Sequence, residues 1–346
     1  MRRLRTAPTV LFLLVSLSAF KCNLEHKPDQ LAPQSNGATP AATPALPLAT
    51  LRREFGNPFP IKTGEKHVFE IRFSRFPIYA TVGTITFEFL GPTSGAQFAP
   101  RIEGLNIDFT PDPTEQFFRF RASVVSKGIL VAIIGVDVKD RFETLLDAKD
   151  FSARLSFKEI KEGKKNTVQS SIFDPDRKTV QFKLNDVTKP DAPPREKTLE
   201  RIDGSLDLLT SFYFMRLQKL KEGQALRFPV SDDGENHEFE IVVGKHEKLS
   251  TDCGKVKTIR LEPKLFGPGK FFSRPGEMTM WVTDDKLHTP LRLVAKTPSG
   301  TLSAKLTNFK NNCQITEPDP EGKEQEVAPQ KPQMDKRRKT TLTDPR

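Results

Sequence analysis

Hydrophobic and polar residues alternate one by one through much of the chain between about residues 60 and 310. Phe69, Ile71 and Phe73 alternate with Glu70 and Arg72, and Ile85, Phe87 and Phe89 with Thr86 and Glu88. The same period recurs at Val180, Phe182 and Leu184, at Phe239 and Ile241, and at Met278, Met280 and Val282. It returns at Leu291, Leu293 and Ala295, and at Leu302, Ala304 and Leu306. Successive side chains of a strand point to opposite faces, so each run gives one buried face and one wet face. That is the pattern of antiparallel sheet. Turn chemistry separates the runs at Phe173-Asp174-Pro175-Asp176-Arg177, at Ser231-Asp232-Asp233-Gly234-Glu235 and at Asp284-Asp285-Lys286. The expected fold is mainly β: curved antiparallel sheets, or an open barrel-like domain, built as a meander of hairpins.

One segment breaks the period. Between Asp207 and Leu220 the apolar residues Leu208, Leu209, Phe212 and Met215 stand at helical spacing. Asp207 suits the N-cap, and Gly223 lies just past the end. The spacing predicts one helix over about 207–220, covering the open face of a curved sheet. Asp207, Thr210, Tyr213 and Arg216 recur every three residues and share roughly one side of it. An acid, a hydroxyl, a phenol and a guanidinium on one face are candidate ligand-binding residues. They are equally able to bond strand ends and tie the helix to the sheet, and that second use is favoured.

The ends of the chain read differently. Arg2, Arg3 and Arg5 precede an uncharged apolar run from Ala7 to Phe20. A basic start and a short hydrophobic stretch are a secretory signal, expected over residues 1–21. The run is shorter than the roughly 20 residues of a membrane span. Two readings of its end stand: cleavage after a small residue such as Ala19, or acylation of Cys22 as in a lipoprotein. Lys21, just before the cysteine, departs from the small residue that a lipoprotein signal carries there. The expected location is therefore the periplasm or, by a lipid at Cys22, the outer membrane. Residues 22–56, rich in Pro, Ala and Thr, read as a disordered linker, and 316–346 as a disordered charged tail with seven basic and seven acidic residues. Between them, 57–315 is the β-rich domain, either one unit or two lobes joined near the helix.

Export changes how cysteine and charge are read. Cys253 and Cys313 become a disulfide candidate, worth on the order of 4 kcal/mol if formed. Neither has a metal-ligand neighbour in sequence. Of the ten net positive charges, Arg2, Arg3, Arg5 and Lys21 leave with the signal. The modest basic excess that remains suits anionic envelope surfaces. No nucleic-acid-binding signature is present, and nucleic acid is not an expected partner.

Three motifs in order resemble the exported bacterial domain-of-unknown-function family 3108. They are Gly64-Glu65-Lys66 opening a strand, the helix set Asp207, Thr210, Tyr213 and Arg216, and Trp281-Val282-Thr283-Asp284-Asp285 leading into Thr289-Pro290-Leu291. The similarity spans about 62–310, with Thr210 where the family usually has Ser. The resemblance implies export and a β-rich fold, and no activity.

The search for chemistry finds no nucleophile elbow, zinc-protease pair, phosphate loop or dinucleotide fingerprint. The five histidines form no paired-ligand spacing, so no catalytic residue, metal or cofactor is expected. Asp284 and Asp285 point apart if in a strand and suit a turn. Phenylalanine dominates the aromatics, with 27 Phe against two Tyr and one Trp. Inward Phe fits either a wide core or a greasy cavity. The function expected is a non-enzymatic binding or carrier module for a lipid or other hydrophobic ligand. The alternative is a structural protein of the envelope that uses its β domain as a scaffold for partner proteins.

Overall fold

Fifteen strands pair into one sheet among the residues that the computed structural model describes. These are 61–98, 107–128, 137–266, 278–297 and 300–307, with 42–44 also described by backbone alone. The signal peptide, nearly all of the linker, the charged tail, Cys22 and Cys313 lie outside them.

The meander starts mid-sheet. Strands β2 (Lys66–Arg75), β3 (Ile78–Ser94), β4 (Gln116–Ser126), β5 (Lys139–Asp147), β6 (Ala153–Glu162), β7 (Lys165–Asp174), β8 (Thr179–Asp186) and β9 (Arg195–Glu200) each pair antiparallel with the next. The chain then forms the helix α1 (Leu208–Arg216) and returns in a second meander. Its strands are β10 (Ala225–Asp232), β11 (Glu235–Thr251), β12 (Gly254–Phe266), β13 (Met278–Thr283), β14 (Pro290–Thr297) and β15 (Gly300–Leu306). Antiparallel pairing of β15 with β2 joins the two halves, Leu302 opposite Phe73 and Ala304 opposite Ile71. Within the segment read as linker, β1 (Ala42–Pro44) pairs parallel with β10 at the sheet's edge, a position that tolerates proline.

The fold is thus mainly β with one α-helix among the described residues, and the sheet is barrel-like but not closed by strand pairing. The last strand of the sheet, β9, and the segment after it approach the β10–β11 hairpin, next to the edge strand β1, through a single bridge between Leu206 and Val230, side chains and loops. Asn236 Nδ2 donates to the Glu200 carbonyl at 2.9 Å, and Ser205 and Ser231 hydroxyls meet at 2.7 Å. Asp232 and Asp233, at the β10–β11 turn, reach across to Lys158 on β6.

The main core lies inside the curl. Phe89, Phe120, Leu146, Phe173, Phe228, Ile241, Leu261 and Val282 surround Leu209, Tyr213, Phe214 and Met215 of α1. A second cluster runs over β2–β4 and β14–β15, including Phe69, Ile71, Phe73, Val124 and Leu302. A third holds Phe117, Leu145, Leu155, Phe157 and Val168, covered by Phe98, Ile107 and Phe109 from the connection between β3 and β4. Strands β4–β7 therefore bury apolar side chains on both faces.

Candidate functional site: a helix-walled apolar cavity

The helix begins where Asp207 has extended backbone (φ −94°, ψ 175°) and caps it. Its carboxylate accepts the Thr210 N–H at 2.9 Å and the Thr210 hydroxyl at 2.5 Å. It also accepts the hydroxyls of Thr144 on β5 at 2.6 Å and Ser156 on β6 at 2.9 Å. Four donors fill the acceptor sites of one carboxylate. Asp207 therefore fastens the start of α1 to two strands.

Arg216 does the same at the other end. It is fully buried, and its Nη1 and Nη2 donate to Glu65 Oε1 and Oε2 at 2.6 and 3.2 Å. Its Nε donates to the Leu287 carbonyl at 3.0 Å, and His288 Nδ1 lies 2.9 Å from the Arg216 carbonyl. Asp285 holds that loop by accepting the N–H groups of Leu287 and His288 at 2.9 and 3.0 Å. The three motifs noted in the sequence thus converge: the Glu65 strand entry, the helix, and the hairpin after Trp281 meet at one guanidinium. Tyr213 packs its ring 4.5 Å from that of Phe120, with the Arg216 guanidinium 5.7 Å from its centroid. Its buried hydroxyl has no hydrogen-bond partner among the described residues, and burial raises its pKa.

The clamp sets the state of its histidines. Burial pushes His67 down to about 4; Glu65, 3.6 Å away, opposes this and Arg216 reinforces it. His67 is thus neutral at pH 7. Burial also lowers His288.

The helix ends at Arg216, one turn short of the sequence expectation. Leu217 makes the C-cap and leads to a turn at Gly223, whose positive φ (80°) suits glycine. Of the other expected residues, Cys253 is half-buried in the β11–β12 turn against the second cluster. Asp284 Oδ2 lies 2.8 Å from His246 Nδ1.

On another side of α1, Leu208, Ser211, Phe212 and Met215 face a cavity of about 190 Å³. Its walls are Phe69, Ile85 and Phe87 of β2 and β3, Val124 of β4 and Phe142 of β5. Ile241, Leu261, Met280 and Leu293 line it from the second meander. Phe87 stacks on Phe212 with centroids 4.6 Å apart. The wall is polar only where Lys158, Asp207, Asp232 and Ser211 reach it. Lys158 Nζ lies 2.8 Å from Asp232 Oδ1 and 2.8 Å from Asp233 Oδ1. Burial works against its charge, but the two carboxylates outweigh that and hold it firmly as an ammonium. Burial raises Asp232 against the pull of Lys158. Among the described residues no group of three acidic, histidine or cysteine side chains is placed to hold a metal ion, and no helix is long and apolar enough to cross a membrane.

The residues that sequence reasoning missed are Glu65, Thr144, Ser156, Lys158 and Asp232. The signal for Lys158 was available in its register: it alternates with Phe157, so one of them had to point inward.

No curated protein matches the chain. A crystal structure described as a beta-barrel-like protein of the domain of unknown function DUF1849 from Brucella abortus is similar at 12% identity. The similarity covers 71% of this chain and 96% of that one, with a TM-score of 0.42, too low to carry an argument. The model of the family described as "Protein of unknown function (DUF3108)" matches residues 103–307, which takes in α1 and the Trp281 hairpin and begins after Glu65. With more than half of its length matched, the chain belongs to that family.

Proposed function

We propose that this protein is an exported binding or carrier module that holds a hydrophobic ligand beside α1 and catalyses no reaction. The observation that carries this reading is the cavity itself: about 190 Å³ bounded almost wholly by aliphatic and aromatic side chains. An apolar cavity of about 150 Å³ suffices to hold benzene. This one suits a single acyl-chain segment or a small apolar molecule. The Lys158–Asp232 end would meet the ligand's polar group, as convergent polar groups do in apolar pockets. The saturated bonds of Asp207 and Arg216 favour a scaffolding role for the helix's polar face.

The envelope setting rests on the basic, then apolar N-terminus, and Cys22 is the proposed anchor if acylated. A Cys253–Cys313 disulfide belongs to the same reading. Asp252, next to Cys253, is bonded to Lys305 at 2.9 Å, and β15 ends one residue later, seven before Cys313.

Native mass spectrometry of the gently purified protein, with solvent extraction of anything bound, tests the proposal. A stoichiometric lipid-like mass that leaves on extraction is expected. A ligand-free protein that also fails to bind an apolar fluorescent probe would sink it.

A further inference from the structure

We infer that the tip of the β2–β3 hairpin is a docking element for an anionic lipid bilayer. Arg75, Phe76, Pro77, Ile78 and Tyr79 are exposed in an unbroken row. Phe76 is 85% exposed, Tyr79 71% and Ile78 45%. Together with Val125 they make up four of the five large hydrophobic side chains exposed among the described residues. Val125 stands apart from the other three, opposite Thr84, six residues along β3 from Ile78. Exposed apolar side chains gathered in one place mark a contact surface.

Charge selects the partner. Arg72, Arg75, Lys127, Arg292, Lys296 and Lys305 stand on this part of the sheet against two acids, Glu70 and Asp252. Arg72 and Lys127 share Glu70, at 2.8 and 3.6 Å, and Lys305 holds Asp252 at 2.9 Å; basic side chains outnumber acidic ones here. The row of exposed residues at the tip is short, from Arg75 to Tyr79, whereas a stable protein interface needs about 800 Å² per partner. Apolar side chains inserted at the headgroup level, with basic residues behind them, are the recognition mode of an anionic lipid surface. The sequence 129–136, which lies outside the described residues and forms no part of the docking element, carries no polar side chain. The inference is independent of the cavity reading and stands if the cavity proves empty.

The test places a reporter at the tip. Phe76→Trp in a Trp281→Phe background leaves one tryptophan in the full chain. With vesicles of phosphatidylcholine and phosphatidylglycerol, its emission should shift to the blue and be quenched by brominated acyl chains. The response should weaken about tenfold on Arg75→Glu. It should also fade between about 0.05 M and about 0.5 M salt as charges are screened. Vesicle sedimentation of the otherwise unaltered chain against its Phe76→Ser/Tyr79→Ser variant gives a second measure, with less bound protein expected for the variant. An unshifted, unquenched emission at saturating lipid would overturn the inference. So would a blue shift without lipid that grows with protein concentration, which would make the tip a contact between copies of the chain.

Discussion

Replacing Arg216 with Met tests whether the helix's polar face is a fastening or a binding site. Met keeps most of the buried stem and removes the guanidinium. Three hydrogen bonds go, two to Glu65 and one to the Leu287 carbonyl. Bonds to charged groups contribute about 1.5–3 kcal/mol each net, and removing one partner of a buried pair costs about 3–5 kcal/mol. Glu65 keeps some solvent, its side chain being 17% exposed, so the low end applies. The expected loss is about 3 kcal/mol, or roughly 6–12 °C in Tm for a domain of this size. Urea is the right denaturant because it does not screen the pair; unfolding is followed by far-UV circular dichroism. Glu65→Gln alone should also destabilise, and the double variant should lose less than the sum, by on the order of 2 kcal/mol. Coupling below about 0.5 kcal/mol, within the scatter of independent sites, would refute the clamp. A stable Arg216→Met protein that no longer holds its ligand would instead assign the guanidinium to binding.

Three further outcomes follow from the same geometry. His67 is pushed down from 6.5 to about 4, so the unfolded chain binds the extra proton between those values. Its contribution is complete above pH 6.5 and lost as pH falls toward 4, at most about 3 kcal/mol. Asp140 is raised from 3.8 to about 7, by burial first and by Glu162 second, so its contribution is lost as pH rises through that window. The two slopes oppose each other; relative to the parent, Asp140→Asn should tilt the profile toward a stability that falls with acid, and His67→Gln the reverse. Urea midpoints between pH 4.5 and 7.5 decide, and variants that keep the parent's slope would contradict both assignments. Ala122 of β4 also lines the cavity, so Ala122→Leu narrows it and should weaken ligand retention, at a stability cost of no more than about 1–3 kcal/mol; ligand retained as in the parent would place the site elsewhere. Cys253→Ser should lower stability by about 2–4 kcal/mol under oxidising conditions, and peptide mapping without reductant should link Cys253 to Cys313; free thiols at both would end the disulfide proposal.

What the sequence makes legible depends on what each face of the sheet touches. β2, β3, β8, β11, β13, β14 and β15 are readable from their alternation, since each buries apolar side chains at every second position. β4–β7 do not yield to the same reading, for two physical reasons. Their outer face is also covered, with Phe117, Leu145, Leu155 and Phe157 packed beneath Phe98 and Phe109. Their inner face carries Thr144, Ser156 and Lys158, which serve Asp207, Asp232 and Asp233. Apolar residues on the outside and polar ones on the inside cancel the hydropathy contrast on which a period of two rests. The helix shows a similar split. Its N-cap and its three-residue spacing are local and legible. The partners that give Arg216 its role are not, because Glu65 lies 151 residues upstream and Leu287 lies 71 downstream. A cavity is further from the sequence still, since it belongs to no single element; its walls come from strands of both meanders. Yet one trace of it is written locally. A lysine such as Lys158, set on a strand among apolar neighbours and turned inward, needs buried acids opposite it. The acids stand at Asp232-Asp233, in a turn that the sequence marks plainly. The strand that holds the lysine and the turn that holds the acids must therefore meet, which is the condition for this sheet to curl around its helix.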